Sequence, residues 1–378
     1  MRTNERKIKI KKEKIAREKR NKKRKYLDLK DFGQSSKAFR LYVNEKRIFF
    51  KAHWRSMSFR IFFYLVGVYI FGLSVSLYMD LNLGVVNEDL IVFALIADIW
   101  TKGGDNVEEY YAIMLVVVYL GFWLFVVLFK IIKLIQFHRK KQLTLTLIYD
   151  EIFKMVLDLV PVFLWPAAVQ LNVLIINPAE TIKPLDPSNI TGSQAQWNEW
   201  IRSWILWASY LLFCLGLAII VSTKMLEGPY NGLSGELALI TKIPYAACRV
   251  IVDMALLVVG LGLLFLGQYP ISERLSHLYS WVSYATILMA FFAGPLIGLI
   301  VVILERYIKL ELIDVNHKLY RKLRREVIRE FRQDNPDKKT KLKWTILQDS
   351  ILDKYNLMIK ETFIEEFDDA ELIDKIIK

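Results

Sequence analysis

Six stretches of about twenty mostly apolar residues crowd between positions 59 and 304, and they constrain the fold more than any other feature of the chain. They run roughly from Phe59 to Met79, Tyr110 to Ile135, Phe153 to Ile176, Trp200 to Ser222, Val250 to Gln268 and Leu278 to Leu304. As helices, each is long enough to cross a hydrocarbon layer about 30 Å thick. The third carries Asp158, Pro161, Pro166, Gln170 and Asn172 and reads as a kinked span. The flanks are of another kind. Residues 1–60 hold 22 Lys or Arg against 6 acids, whereas residues 61–304 hold only 13 basic and 17 acidic residues. The expected fold is therefore an all-α membrane protein of about six transmembrane helices. A basic arm occupies residues 1–58, the transmembrane domain residues 59–305, and a helical tail residues 306–378.

Basic residues set the orientation, because loops rich in Lys and Arg stay in the cytoplasm. With the N-terminus inside, the inner connections hold Lys130–Lys154 with six Lys or Arg and Lys224–Arg249 with three, and the outer loops hold only Lys102, Lys183 and Arg274. Both termini are expected in the cytoplasm of a multi-pass cell-membrane protein. The first outer loop reads as acidic, with Asp80, Glu88, Asp89, Asp98, Asp105, Glu108 and Glu109. Two apolar pieces, residues 90–100 and 233–247, are too short to cross. Their length admits re-entrant, interfacial or plain connecting helices alike.

The chain carries an internal echo. FGLSVSLYMDLNLGVVNEDL from Phe71 and LGLAIIVSTKMLEGPYNGL from Leu215 place glycines at 72 and 84 and at 216 and 228, a shared spacing of 12. An asparagine follows three positions after each second glycine, at Asn87 and Asn231. Further on, LVVVYLG ending at Gly121 parallels LLVVGLG ending at Gly262, and Pro166 parallels Pro295. Each half, 59–176 and 200–305, contains three spans, so the second starts on the opposite side from the first. Two inverted three-helix repeats are the expected arrangement, a pattern typical of secondary transporters.

The pieces EGPYNGL from Glu227, CRVIVDMALLVVGLGLLFLG from Cys248 and ATILMAFFAGPLIGLIV from Ala285 resemble the second half of the YczE/YyaS/YitT-like bacterial membrane proteins. Gly228, Pro229, Arg249, Asp253, Thr286, Gly294 and Pro295 stand where that family's glycine-proline turn, Arg-Asp span start and final span have their marks. Asn231 stands where an Asp is common. In the first half, NLGVVNED from Asn82 keeps a glycine and Asp89 without the usual proline, and TKGGD at 101–105 looks like an insertion. The resemblance implies a membrane architecture and a suspicion of transport.

Ionisable groups inside a bilayer cost about 2.5 to 3.5 kcal/mol each on the insertion scale, so each asks for a reason. Asp158 and Asp253 are the two evident candidates. Arg249 and Asp253, four apart, share a helical face and would pair near the inner surface. Asp158 has only Lys154 near it in sequence and is expected to face the bundle once Lys154 snorkels away. The turn at Gly228, Pro229 and Asn231 would let backbone approach a ligand, and Gly294 and Pro295 would kink the last span. Asn87 and Asp89 are the first-half counterparts. Cys214 and Cys248 are too few for a disulfide framework, the four histidines lie at span ends or in loops and tails, and no catalytic motif is present. No enzyme activity, cofactor, metal or catalytic residue is expected.

The leading expectation is a permease that moves a small solute between the two halves. The rival is a membrane anchor or scaffold that does not transport. Its partners besides the lipid bilayer would be anionic headgroups bound by the N-terminal arm, and RNA, ribosomes or a protein bound by the charged tails. After the last span, Lys318 to Arg332 reads as a basic amphipathic helix. Residues 346–377 alternate acids with apolar groups and read as helices that pack on it or on a partner.

Overall fold

The computed structural model describes residues 35–79, 81, 83–97, 107–140, 143, 145–185, 192–226, 228–267, 271–308, 310–315, 317–334 and 344–366. The basic run of residues 1–34, the TKGGD segment and the acidic end after residue 366 lie outside them. Among the described residues every regular element is helical. Helix α1 spans Ser35–Ala52, α2 Trp54–Tyr78, α3 Asn87–Leu95 and α4 Val107–Arg139. Helices α5 (Leu145–Leu157) and α6 (Leu159–Ile176) follow, then α7 (Ser193–Thr223), α8 (Pro229–Thr241) and α9 (Tyr245–Leu266). The last third holds α10 (Ile271–Trp281), α11 (Tyr284–Leu288), a π turn over Met289–Ala293, α12 (Gly294–Tyr307), α13 (His317–Asp334) and α14 (Trp344–Glu366).

Six segments are long and apolar enough to cross a membrane: Trp54–Tyr78, Tyr110–Arg139, Leu147–Ile176, Ser193–Thr223, Tyr245–Leu266 and Tyr284–Glu305. The chain is thus an all-α membrane protein with six candidate spans, as the apolar runs require. Apolar side chains cover both faces of these helices. On α4, Ile113, Val117, Leu124, Phe125 and Leu128 point outward while Met114, Leu115, Val118, Tyr119 and Phe122 are buried. In water such a surface would aggregate, and in lipid it is the natural solvent-facing side. Trp197, Trp200, Trp204 and Trp207 line one exposed stripe at the start of α7, the composition of an interfacial aromatic belt.

The third span is interrupted where Pro161 predicts, since a proline there leaves the Leu157 carbonyl without its helical donor. Pro166 lies inside α6. The break falls at Asp158, between α5 and α6. One polar tie lies in the middle of the bundle, where the Ser209 hydroxyl donates to the Ser74 carbonyl across α7 and α2 at 2.7 Å.

Each half repeats one order: a long helix, a glycine turn, a short helix, then two more spans. Gly84 and Gly228 both adopt positive φ, +102° and +75°, immediately before α3 and α8. Each turn is seated against the closing helices of the other half. The Gly84 and Val85 amides donate to the Ser280 and Trp281 carbonyls at 3.0 Å, and Thr286 returns a bond to the Val85 carbonyl at 2.8 Å. A Cβ on Gly228 would lie 2.5 Å from the Trp165 ring of α6. This reciprocal seating is compatible with two inverted halves. The 90–100 and 233–247 pieces thus resolve into α3 and α8, short helices that start a few residues earlier than the apolar runs do.

The described residues divide into two compact units, and the spans described so far form the larger, Arg55–Ile132 with Lys154–Leu310. The smaller unit combines α1, the junction of α4 with α5, and the tail. Within it, Lys46 and Tyr42 both bond Asp150, at 2.7 and 3.3 Å, and Lys133 pairs with Glu151 at 3.0 Å. Helices α13 and α14 pack as a pair through Val315, Leu323, Val327, Leu347, Ile351 and Tyr355, stitched by Lys354 to Glu330 at 2.8 Å. The tail helices therefore pack on each other, one of the two arrangements that the apolar pattern admitted.

Candidate functional site

The short helix α3 begins with Asn87, Glu88 and Asp89 and continues as an unbroken apolar run, LIVFAL. Its acidic first turn suits the positive end of a helix dipole. All three polar side chains are nonetheless buried, each at most 2% exposed. Glu88 and Asp89, expected in an acidic outer loop, instead sit inside the bundle. Helix α9 is what covers them: a Cβ on Gly260 would lie 2.8 Å from the Leu90 side chain, so the glycine lets the two helices approach closely. From the other direction α8 starts with Pro229 at its first position, where the fixed φ suits a helix start and no donor is wasted. Tyr230 and Asn231 follow, both buried.

These helix starts converge on Arg249, which is 2% exposed. Its Nε pairs with Asp253 at 3.2 Å, one turn along α9, and its Nη1 donates to the Asn231 Oδ1. The guanidinium lies over the Tyr230 ring, 3.8 Å from the centroid, and the Tyr230 hydroxyl donates to Asp253. Gly294 leaves room for the stem, since a Cβ there would meet the Arg249 Cγ at 3.2 Å. Pro295 follows within the first turn of α12. The expected i, i+4 pair is thus present and buried, with α8, α9 and α12 closing over it.

Asp89 is held by two tyrosines. Tyr111 donates to its Oδ1 at 2.6 Å and Tyr78 to its Oδ2. Burial raises its carboxyl to about 6, against the pull of those two donors. Glu88 neighbours Asp89, Arg249 and Asp253 and shares a hydrogen bond with Tyr230. Burial first, then the Asp89 charge, push its carboxyl well above the ordinary range, with Arg249 acting the other way. Its Oε2 is buried without a hydrogen-bond partner among the described residues, as are both amide atoms of Asn87 and the Asn231 Nδ2.

The structure thus brings Asn231, Asp253 and Gly294 against Arg249 and sets Asp89 beside Glu88, while Asn87, Gly228 and Pro229 are buried at the starts of α3 and α8 and Pro295 is exposed. Asp158 is placed differently. It stands at the break between α5 and α6, partly exposed, and Lys130 of α4 pairs with it. The expectation of a carboxylate without a cationic partner is corrected: the partner lies 28 positions away on another span, beyond the reach of i, i+4 reasoning. Sequence reasoning passed over Glu88 as a site residue, and with it the tyrosines Tyr78, Tyr111 and Tyr230. The signal was an Asn-Glu-Asp triplet abutting an apolar run, where a solvent loop would have none.

Such a fold and site define a six-span helical membrane protein with a buried ionisable centre. The chain belongs to a family of unknown function (DUF6198), whose model matches residues 106–301. No curated protein and no solved structure matches it.

Proposed function

We propose that the protein is a secondary transporter of a small solute, in which two inverted three-span halves open alternately about the Glu88, Arg249 and Asp253 centre. One observation carries the reading: a guanidinium and three carboxyls are buried together where the starts of two short helices meet α9. Charges in such a place are expensive and mark ion or solute pathways. Short helices whose ends point at a site between repeats are a recurrent transporter device. The reciprocal seating of the Gly84 and Gly228 turns supports the two halves, and the loop charges support cytoplasmic termini. Kinship with the YczE/YyaS/YitT-like proteins belongs to the same reading, resting on the Gly228-Pro229 turn and the Arg249-Asp253 span start. Catalysis forms no part of it.

A second reading is favoured by one surface. Helix α13 has its apolar side covered by α14, while Lys318, Arg321, Lys322, Arg324, Arg325 and Arg329 are exposed. A non-transporting scaffold would use that basic face, with the N-terminal arm, on anionic lipid, RNA or an acidic protein.

Metabolite profiling of depleted cells, followed by uptake of the metabolites that change into liposomes holding the purified protein, separates the two. Transport requires uptake that Arg249→Ala abolishes per folded molecule and Asp158→Asn preserves. A protein that folds, moves none of those solutes and retains a bound partner through its tail supports the scaffold instead.

A further inference from the structure

The Tyr230 hydroxyl stands between two carboxyls, and it has one proton to give. It donates to the Asp253 Oδ1, and Asp253 also receives the Arg249 Nε at 3.2 Å, so Asp253 is the ionised member of an ion pair. Glu88 bonds to the same Tyr230. With the tyrosine proton committed to Asp253, Tyr230 has no second proton with which to stabilise an ionised Glu88. The rest of the charge count agrees. Asp89 is satisfied as a carboxylate by donors on both oxygens, from Tyr78 and Tyr111. The guanidinium is already shared between Asp253 and Asn231. An ionised Glu88 would add a buried negative charge beside two others, with its Oε2 unpartnered among the described residues. A buried charge left uncompensated is strongly unfavourable. Among the described residues no three His, Cys, Asp or Glu side chains are grouped so as to hold a metal cation in place of a proton.

We propose that Glu88 is a proton-carrying carboxyl, protonated when α3 is closed against α9 and ionised when that contact opens to water, so that solute movement is coupled to protons. The groups facing it are Asp89 on its own helix, Tyr78 of α2, Tyr111 and Tyr119 of α4, Tyr230 of α8, and Arg249 and Asp253 of α9. The step balances simply: on opening, the O–H proton of Glu88 leaves to water on one side, and on closing the carboxylate takes one proton back from the other. The coupling rests on the transport reading above, whereas the protonation does not.

The test uses the full-length protein in lipid nanodiscs, with protons as the titrated ligand and infrared difference spectroscopy as the readout. A carboxylic C=O band at neutral pH is expected in the wild type and in Asp158→Asn, disappearing at alkaline pH, and missing in Glu88→Gln. A wild type without the band, or a Glu88→Gln variant that keeps it, overturns the proposal. A thermal-stability titration gives a second measure. With the folded value raised above the unfolded one, stability falls as pH climbs from the ordinary glutamate range toward the raised value, and Glu88→Gln should flatten that fall. A slope equal to the wild type's would count against Glu88. For any solute that passes the uptake assay, Glu88→Gln should cut accumulation driven by a pH gradient by about tenfold or more while sparing one-for-one exchange. Absent uptake with the band present sinks transport and leaves the proton site standing. Solute accumulation by a protein without the band does the reverse.

Discussion

Arg249 illustrates how much a single side chain can organise. It is the only cation in the buried centre among the described residues, and its partners come from its own helix and from α8. Removing it strands Asp253 and Asn231, and breaking a buried pair in this way costs about 3 to 5 kcal/mol. Arg249→Ala is therefore expected to lower the unfolding temperature and the yield sharply, and Arg249→Lys to recover only part, since an ammonium cannot reproduce the fork that spans Asp253 and Asn231. Fluorescence-detected size exclusion after heating checks both. Asp158→Asn behaves otherwise. It removes the carboxylate from Lys130 at a partly exposed site, a loss of about 1.5 to 3 kcal/mol, and should leave turnover per folded molecule unchanged. An inactive but stable Asp158→Asn protein would put the functional centre at the α5 to α6 break instead.

At the scale of helices, the spans were legible because twenty apolar residues in a row have few other uses. Their ends were less so: the third begins six residues before the apolar run, at Leu147 rather than Phe153, because amphipathic α5 leads into it. The short helices were the hard part. By length the piece that becomes α3 admits a re-entrant, interfacial or plain connecting helix alike, and only the cover supplied by α9 makes it a buried one. The close approach at Gly260 is the contact to probe. Gly260→Leu should force Leu90 aside and part α3 from α9, costing more than the about 1 to 3 kcal/mol typical of modest overpacking. Cysteine accessibility on α3 should rise in parallel, and unchanged accessibility would show that the glycine is not what sets the spacing. In the tail, Ile351 is fully buried between α13 and α14, so Ile351→Ala should cost about 2 to 4 kcal/mol of that pair and expose it to limited proteolysis.

Over the whole molecule, orientation is the property that charge alone predicts. A cysteine placed at Ser272, before the sixth span, should react with an impermeant reagent in intact cells, and one at Gln333, on α13, only after permeabilisation. Labelling of the Gln333 site in intact cells would reverse the topology. The dependence of α3 on α9 also has a consequence in time. The ribosome finishes α3 about 170 residues before it finishes α9, which at roughly 5 to 20 residues per second is a wait of about 9 to 34 s. Throughout that interval Glu88 and Asp89 have neither Arg249 nor the α9 surface to shelter them. The nascent first half is thus an orphan that must linger near water or in the care of an insertase, and its maturation follows the synthesis of the second half.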